Sequence, residues 1–166
     1  MIQRKQPKLL IKAFAKQDAD LIKNMQLVII GSGDQEKECK TLCKELNLKN
    51  VIFKGQLEIN QVAKEIGKSH ALVLCSTHET FGLVLIEAMS CGLPVISTDS
   101  GGPKDIVNVQ NGFLVKNNIE QLTNAMENLK QNYNDFDSIQ LRSNTRLNYS
   151  AESISKELKI IYQNLL

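Results

Sequence analysis

Two acidic side chains, Glu79 and Glu87, flank the point where a predicted strand gives way to a helix. The apolar run before Ser76 predicts a strand that ends there, and a helix is expected to begin near Gly82. The first N–H groups of a helix have no partner inside it and point out of its N-terminus. The amides of residues 81–83 therefore suit a phosphate or diphosphate, and Gly82, without a side chain, would let the backbone approach that anion closely.

The spacing of the two carboxylates favours a nucleotide diphosphate as the ligand. Glu87 lies about five residues into the predicted helix, roughly 7.5 Å along its axis at 1.5 Å per residue. A carboxylate there would accept hydrogen bonds from two vicinal hydroxyls of a ribose joined to the diphosphate. Glu79, on the loop side, would face whatever is attached to the other phosphate. Two glutamates at this spacing are otherwise ordinary surface residues, so their context decides the interpretation.

Five short apolar runs and the helical segments between them must position this loop. The runs are rich in β-branched residues, as buried strands are, and they cover residues 26–30, 51–53, 71–75, 94–97 and 113–115. Strands that alternate with helices predict an α/β fold, with a doubly wound, Rossmann-like parallel sheet and helices on both faces. Ligands of such sheets bind at the carboxyl ends of the strands, where the Glu79 loop would lie.

The two ends of the chain depart from this alternation. The first helical segment, around Leu9 and Phe14, has no strand before it, whereas doubly wound folds begin with a strand. The sequence therefore predicts one domain over residues 1–166 that lacks its first strand. A terminal helix is predicted over residues 151–166, with an apolar face formed by Ile154, Leu158, Ile161 and Leu165.

Composition excludes several classes of protein. The 166 residues suit one domain, and 20 Lys and Arg against 18 Asp and Glu leave no basic field for nucleic acid. No apolar stretch reaches the ~20 residues of a membrane span, and the first residues lack the features of a signal peptide. We therefore expect a cytoplasmic protein. A basic cluster leaves peripheral association with anionic membrane lipids open; it comprises Arg4, Lys5, Lys8, Lys12 and Lys16.

The cysteines and histidines do not predict a metal site. Cys39 and Cys43 share the apolar face of a predicted helix, and Cys75 ends an apolar run. Neither His70 nor His78 completes a zinc-type spacing with a cysteine. We expect reduced, mostly buried thiols and no metal, and we interpret His78 as a loop residue without a chemical role.

Further motifs surround the two glutamates and extend along nearly the whole chain. Beside Phe81-Gly82-Leu-Val-Leu-Ile-Glu87-Ala-Met stand Cys91-Gly92-Leu-Pro94-Val, Gly101-Gly102-Pro-Lys-Asp105, Asn111-Gly-Phe-Leu-Val115, Leu9-Leu-Ile-Lys-Ala-Phe14, Leu27-Val-Ile-Ile-Gly31-Ser-Gly33 and Val51-Ile-Phe-Lys-Gly55. As a set, they resemble the family-4 retaining glycosyltransferases of the GT-B fold, whose second domain carries two glutamates separated by seven residues. The family usually has Glu where Asp105 stands.

The resemblance implies a role for each matching residue. Glu79 would contact hydroxyls of the donor sugar, the amides after Phe81 would hold the diphosphate, and Glu87 would bind the ribose. Lys5 would contact the diphosphate, whereas Arg4 does not match the family's diphosphate-binding Arg, which stands several residues earlier. The implied catalytic residues are Glu79 and Lys5, and the implied donor site comprises Glu79, Thr80, Phe81, Gly82, Leu83, Glu87, Gly31, Gly33 and Leu57.

Some of these assignments have structural alternatives. Gly31-Ser-Gly33 lacks the next glycine of a dinucleotide fingerprint, because Glu36 occupies that position, so the two glycines could simply form a turn. Lys5 belongs to the basic cluster, where a solvated side chain is the alternative to a ligand contact.

The activity implied is transfer of a sugar from a UDP- or GDP-sugar donor to a saccharide or lipid acceptor, with retention at the anomeric carbon. The donor is a substrate, so no cofactor and no metal are implied. The acceptor would bind an N-terminal domain that this chain lacks, without which we expect no activity, and the setting would be polysaccharide or glycolipid biosynthesis. The alternative is a non-catalytic nucleotide-sugar-binding or partner-binding module.

Overall fold

Helices and parallel strands alternate in the computed structural model, which describes residues 1–164. The strands are β1 (Leu27–Ile30), β2 (Val51–Gly55), β3 (Leu72–Leu74), β4 (Val95–Thr98) and β5 (Gly112–Val115). The helices are α1 (Pro7–Ala15), α2 (Ala19–Lys23), α3 (Glu36–Glu45), α4 (Ile59–Gly67), α5 (Leu83–Ser90), α6 (Ile119–Gln131), α7 (Ser138–Tyr149) and α8 (Ala151–Asn164). Short 3-10 turns cover Gln3–Lys5, Gly102–Asp105 and Tyr133–Asp135. The predicted α/β alternation is confirmed; α2, which Asp18 caps by accepting from the amides of Asp20 and Leu21, was not predicted.

The parallel sheet is divided into two parts. Strand β1 pairs with β2, and β3, β4 and β5 pair in that order, all in parallel. Within residues 1–164 no ladder joins β1 to β3. Strand β4, with a neighbour on both sides, is buried along its whole length, whereas β1 and β3 are for the most part only half-buried despite their apolar sequences. The two apolar strands thus each present one unpaired edge.

The N-terminal segment connects the two parts of the sheet at the carboxyl ends of their strands. The amide of Gln35, beyond β1, donates to the Met1 carbonyl over 3.1 Å. The amide of Thr77, beyond β3, donates to the Arg4 carbonyl over 2.9 Å. Residues 1–5 therefore cross from the end of β1 to the end of β3, and they bring Lys5 to the Glu79 loop.

Helices cover both faces of the sheet, as predicted. On one face α1 contacts both α3 and α6, and its buried side chains Ala13 and Phe14 join a core cluster with Ile96 of β4 and Leu122 of α6. On the other face α5 packs on β3 and β4 through residues such as Leu85, which is fully buried. This packing on the opposite face places the start of α5 beside the carboxyl end of β3.

The cysteines are free thiols, and three of them are buried, as predicted. Burial raises the pKa of the Cys75 thiol to about 12. Burial also raises the pKa of Cys39 and of Cys43, which lie on the inner face of α3. These thiols therefore stay protonated at neutral pH and contribute to the core.

The terminal helix α8 is described over Ala151–Asn164, and the last two residues of the predicted helix, Leu165 included, lie outside the described residues. Its predicted apolar side chains Ile154, Leu158 and Ile161 are exposed rather than packed. The apolar face thus exists, and α8 contacts α7 without burying it. None of the helices in the described part of the chain has the length and hydropathy needed to cross a membrane.

The close approach of β4 and β5 generates a test of the fold. A Cβ atom at Gly112 would overlap the Val95 carbonyl oxygen. We expect Gly112→Ala to lower the free energy of unfolding by about 1–3 kcal/mol, the usual effect of overpacking, as measured by urea denaturation. Gly67→Ala is the control, because a Cβ there has no neighbour within 4 Å; equal stability of both variants would contradict the strand pairing.

Candidate functional site

The loop after β3 and the start of α5 form one end of the candidate site. Gly82 precedes α5 with φ 100° and ψ 44°, a left-handed conformation that only glycine adopts readily. This conformation turns the chain sharply from the loop into the helix. In the described 164 residues, the backbone N–H groups of residues 81–83 make no internal hydrogen bond. The structure thus presents the free amides that the sequence predicted for an anion.

Glu79 lies beside this helix start and forms an ion pair with Lys5. The Glu79 side chain is 14% exposed, whereas that of Lys5 is 39% exposed, so the carboxylate lies deeper than the ammonium group. The Ser76 hydroxyl donates to the same carboxylate over 3.5 Å. The two residues predicted to be catalytic are therefore in contact, although 74 positions separate them in the sequence.

The glycine pair Gly101-Gly102, which follows β4, packs against the backbone of the Glu79 loop and supports it. The Glu79 amide donates to the Ser100 carbonyl and the Gly102 amide donates to the Glu79 carbonyl, both over 2.8 Å. A Cβ atom at Gly102 would lie 2.5 Å from the Cα atom of Phe81, and one at Gly101 would lie 2.9 Å from the Glu79 carbonyl oxygen. Sequence analysis missed this contact, whose signal was the glycine pair: only glycine permits so close an approach of two backbones.

Glu87 and Phe81 mark the outer side of the site. Glu87 follows on α5, more than one turn beyond its start, and its side chain is exposed. The Phe81 ring is 43% exposed and meets the Tyr149 ring edge-on, with 6.4 Å between centroids. Burial, together with the nearby Asp105 carboxylate, raises the pKa of Tyr149, so its phenol stays neutral. The contact between Phe81 and Tyr149 links the end of α7 to the loop that carries Glu79.

The remaining predicted site residues lie at the carboxyl ends of β1 and β2. Gly31 has φ 115°, and a Cβ there would have no neighbour within 4 Å, so the space beside it is open. Gly33 differs, because a Cβ there would lie 2.6 Å from the Met1 carbonyl carbon. Packing against Met1 is thus a sufficient structural reason for glycine at position 33. Leu57 is half-buried in the connection between β2 and α4, and the ligand contacts of these three residues stay predictions.

The other residues near the helix start carry no charge that the site uses. Thr80 and Leu83 are exposed beside the free amides. His78 is an exposed neighbour of Glu79 in the loop, in keeping with its interpretation as a loop residue. Among the residues that the structure describes, no group of three or more His, Cys, Asp or Glu side chains is close enough to hold a metal ion.

Comparison with known proteins gives this geometry a context. The family model described as glycosyl transferases group 1 matches residues 1–151. Over 93 residues the chain is 38% identical to the 2-deoxystreptamine N-acetyl-D-glucosaminyltransferase of Niallia circulans, a match that covers 55% of this chain and 24% of that protein. Over 84 residues it is 36% identical to the GDP-mannose-dependent alpha-mannosyltransferase of Mycolicibacterium smegmatis, covering 51% and 21% of the two chains.

The fold also has a close structural counterpart. The Anabaena protein HepE, solved in complex with UDP and glucose, superimposes with a TM-score of 0.84 at 21% identity. The match covers 99% of this chain and 46% of that one. The chain thus spans about a quarter of the length of the two relatives that it matches in sequence, and about half of this solved structure.

The free amides at the start of α5 generate a test of anion binding. We expect inorganic pyrophosphate to bind with a dissociation constant on the order of millimolar and to shift the amide resonances of residues 81–84 most. Gly82→Ala is expected to abolish these shifts, because alanine disfavours φ 100° and its Cβ would lie 3.1 Å from the Leu85 side chain. Gly67→Ala should bind like the parent chain. Shifts confined to the basic residues of α1 would contradict the assignment.

Proposed function

The chain belongs to the glycosyl transferases group 1 family, and from that premise we propose that it binds the nucleotide diphosphate sugar donor of a retaining glycosyltransferase. The observation that carries the proposal is the Lys5–Glu79 ion pair beside the free amides at the start of α5. A cation, an anion and unpaired N–H groups stand together there. A diphosphate linked to a polyhydroxylated sugar complements each of them: its phosphates can bind the cation and the N–H groups, and its hydroxyls can donate to the anion.

The charge of each group determines the part of the donor that we propose it binds. The amides of residues 81–83 and the Lys5 ammonium group bind the diphosphate, and Glu79 accepts hydrogen bonds from the hydroxyls of the donor hexose. Glu87, further along α5, binds the ribose, while Gly31, Gly33 and Leu57 border the nucleoside. Thr80 and Leu83 line the same opening. Both UDP and GDP fit this arrangement, since one similar protein is named for GDP-mannose and the structural counterpart holds UDP.

Lys5 has two proposed tasks in this arrangement. It compensates the negative charge of Glu79, which otherwise repels a diphosphate close by. As the bond between the anomeric carbon and the leaving phosphate breaks, negative charge develops on the diphosphate. The helix start and Lys5 then stabilise the leaving group. The proposed mechanism needs neither a metal ion nor another cofactor, and retention at the anomeric carbon is part of the proposal.

The acceptor, a saccharide or a lipid, is proposed to bind outside this chain, on an N-terminal domain. The divided sheet supports this part of the proposal, because among residues 1–164 the free edges of β1 and β3 pair with no other strand. The chain alone is then a donor-binding domain without transferase activity. The proposed setting is polysaccharide or glycolipid biosynthesis in the cytoplasm, with peripheral membrane association of the whole enzyme where the acceptor is a lipid.

Nucleotide binding by the chain itself is the first test. We expect calorimetric titration to show saturable binding of UDP or of GDP with a dissociation constant between about 1 mM and tens of micromolar, as a few charge-assisted hydrogen bonds provide. Glu87→Ala removes the ribose contact and is expected to weaken binding by about tenfold.

The matched control is Glu157→Ala, which removes an exposed carboxylate from α8 and should leave the affinity unchanged. Equal loss in both variants would mean that net charge, rather than a ribose contact, governs binding. Absence of binding of either nucleotide at millimolar concentration would refute donor binding by this domain. Binding without transfer in a polypeptide that also contains the acceptor domain would favour the non-catalytic module.

Independence from metal ions is a separate test. Because the amides and Lys5 supply the positive charge, we expect the affinity for the bound nucleotide to agree within about twofold in EDTA and in Mg²⁺. Raising the salt concentration should weaken binding in both buffers, since the contacts are electrostatic. Binding that requires Mg²⁺ would contradict the proposed role of Lys5.

A further inference from the structure

The β3–β4 ladder ends in an unusual way beneath the candidate site. Its last backbone pair joins Leu74 to Ser97. At the next position of β4, the side chain of Thr98 takes over from the backbone. Its hydroxyl donates to the Ser76 carbonyl over 2.7 Å and accepts from the Ser76 amide over 2.9 Å. Both Thr98 and Ser76 are fully buried.

This double hydrogen bond stands where the Glu79 loop leaves the sheet. Three residues later the loop returns, and the Glu79 backbone pairs with Ser100 and Gly102. The segment 98–102 therefore holds the loop at both ends, once through a side chain and once through the backbone. Ser76, which Thr98 fixes, also places its own hydroxyl 3.5 Å from the Glu79 carboxylate.

We propose that Thr98 is a positioning residue whose buried hydroxyl sets the place of the Glu79 carboxylate against Lys5 and the start of α5. The positioning follows from the contacts, whereas the effect on a ligand rests on the proposed function of Glu79. Valine has nearly the same shape as threonine but leaves both the amide and the carbonyl of Ser76 unpaired in a buried place. Such groups are costly to leave without partners, so the loop would move to find others.

The neighbouring Ser97 provides a matched control. It is equally buried, and its hydroxyl donates over 3.1 Å to the carbonyl of Thr98 in its own strand. It has no hydrogen bond to the loop. Ser97→Ala thus removes a buried hydroxyl from β4 without touching Ser76, while Thr98→Ser keeps the hydroxyl that the proposal requires.

Amide hydrogen exchange in the ligand-free chain tests the positioning directly. In Thr98→Val we expect the amides of Glu79 and Gly102 to exchange about tenfold faster or more, the effect of losing a buried hydrogen bond. The amides of Leu72 and Val95, which donate to the carbonyls of Pro94 and Asn111 at the other end of these strands, should keep their rates. Thr98→Ser and Ser97→Ala should both match the parent chain at Glu79.

A second readout reports on the ligand. In the parent chain, the affinity ratio of UDP-glucose to UDP, or of GDP-mannose to GDP, measures what the sugar adds. We expect Thr98→Val to reduce that ratio by about tenfold while the affinity for the nucleotide alone changes little. Glu79→Gln should cause no further loss when added to Thr98→Val, because the carboxylate is already out of place.

The outcomes separate the two proposals. Faster exchange at Glu79 in a chain that binds no nucleotide would uphold the positioning and refute the proposed function. Unchanged exchange at Glu79, or an equal acceleration at Val95, would overturn the positioning and leave donor binding intact. Should Thr98→Val fail to fold, Thr98→Ala is measured in its place. If neither folds, the hydroxyl serves the sheet as a whole and the positioning role is overturned.

Discussion

The ion pair between Lys5 and Glu79 is the contact on which the candidate site depends, because it resolves a conflict of charge. Free amides at a helix start attract an anion, yet a carboxylate beside them repels it. Lys5 compensates that carboxylate, and with only 14% of the Glu79 side chain exposed, solvent screens the pair less than it would a surface ion pair. Under the proposed function, Glu79 can then accept hydrogen bonds from the donor sugar without excluding the diphosphate of the donor. The site therefore requires the N-terminal segment, which carries Lys5, to cross the carboxyl ends of the strands.

Much of the site is built from backbone rather than from side chains. Gly82 supplies the turn that frees the amides of α5, and the pair Gly101-Gly102 lets the segment after β4 touch the Glu79 loop with backbone atoms alone. Thr98 fastens the other end of that loop with a hydroxyl. A loop held at both ends keeps the Glu79 carboxylate, and with it the paired Lys5 ammonium group, in place before any ligand arrives, so less conformational freedom is lost when a ligand binds. The fold thus fixes the acid through the strand that follows it in the sequence.

Local pattern was enough to predict the elements but not all of their partners. The five apolar runs predicted the five strands, because short runs rich in β-branched residues are typical of buried strands. Gly82 likewise indicated the start of the helix. The division of the sheet was not predictable, since an apolar run shows that a strand is buried and not which edge is paired. Thr98 was missed because threonine is ordinary in a strand, and its hydroxyl matters only through Ser76, 22 positions away. Glu79 and Lys5 form an ion pair that was not predicted: the family resemblance had assigned both residues to the donor site, but to different parts of the donor.

The divided sheet and the ion pair are connected through the first residues of the chain. Residues 1–5 hold the carboxyl ends of β1 and β3 together, and a parallel strand placed between those two edges would end at the same point. Under the proposed function, such a strand would pair both edges, bury more of β1 and β3, and restrain the segment that carries Lys5. Unpaired edge strands are also sites of unwanted pairing with other chains, so pairing the edges of β1 and β3 would protect the fold independently of any role in catalysis. Completion of the sheet would then also restrain Lys5 at the candidate site, because residues 1–5 hydrogen-bond to the segments that follow both strands.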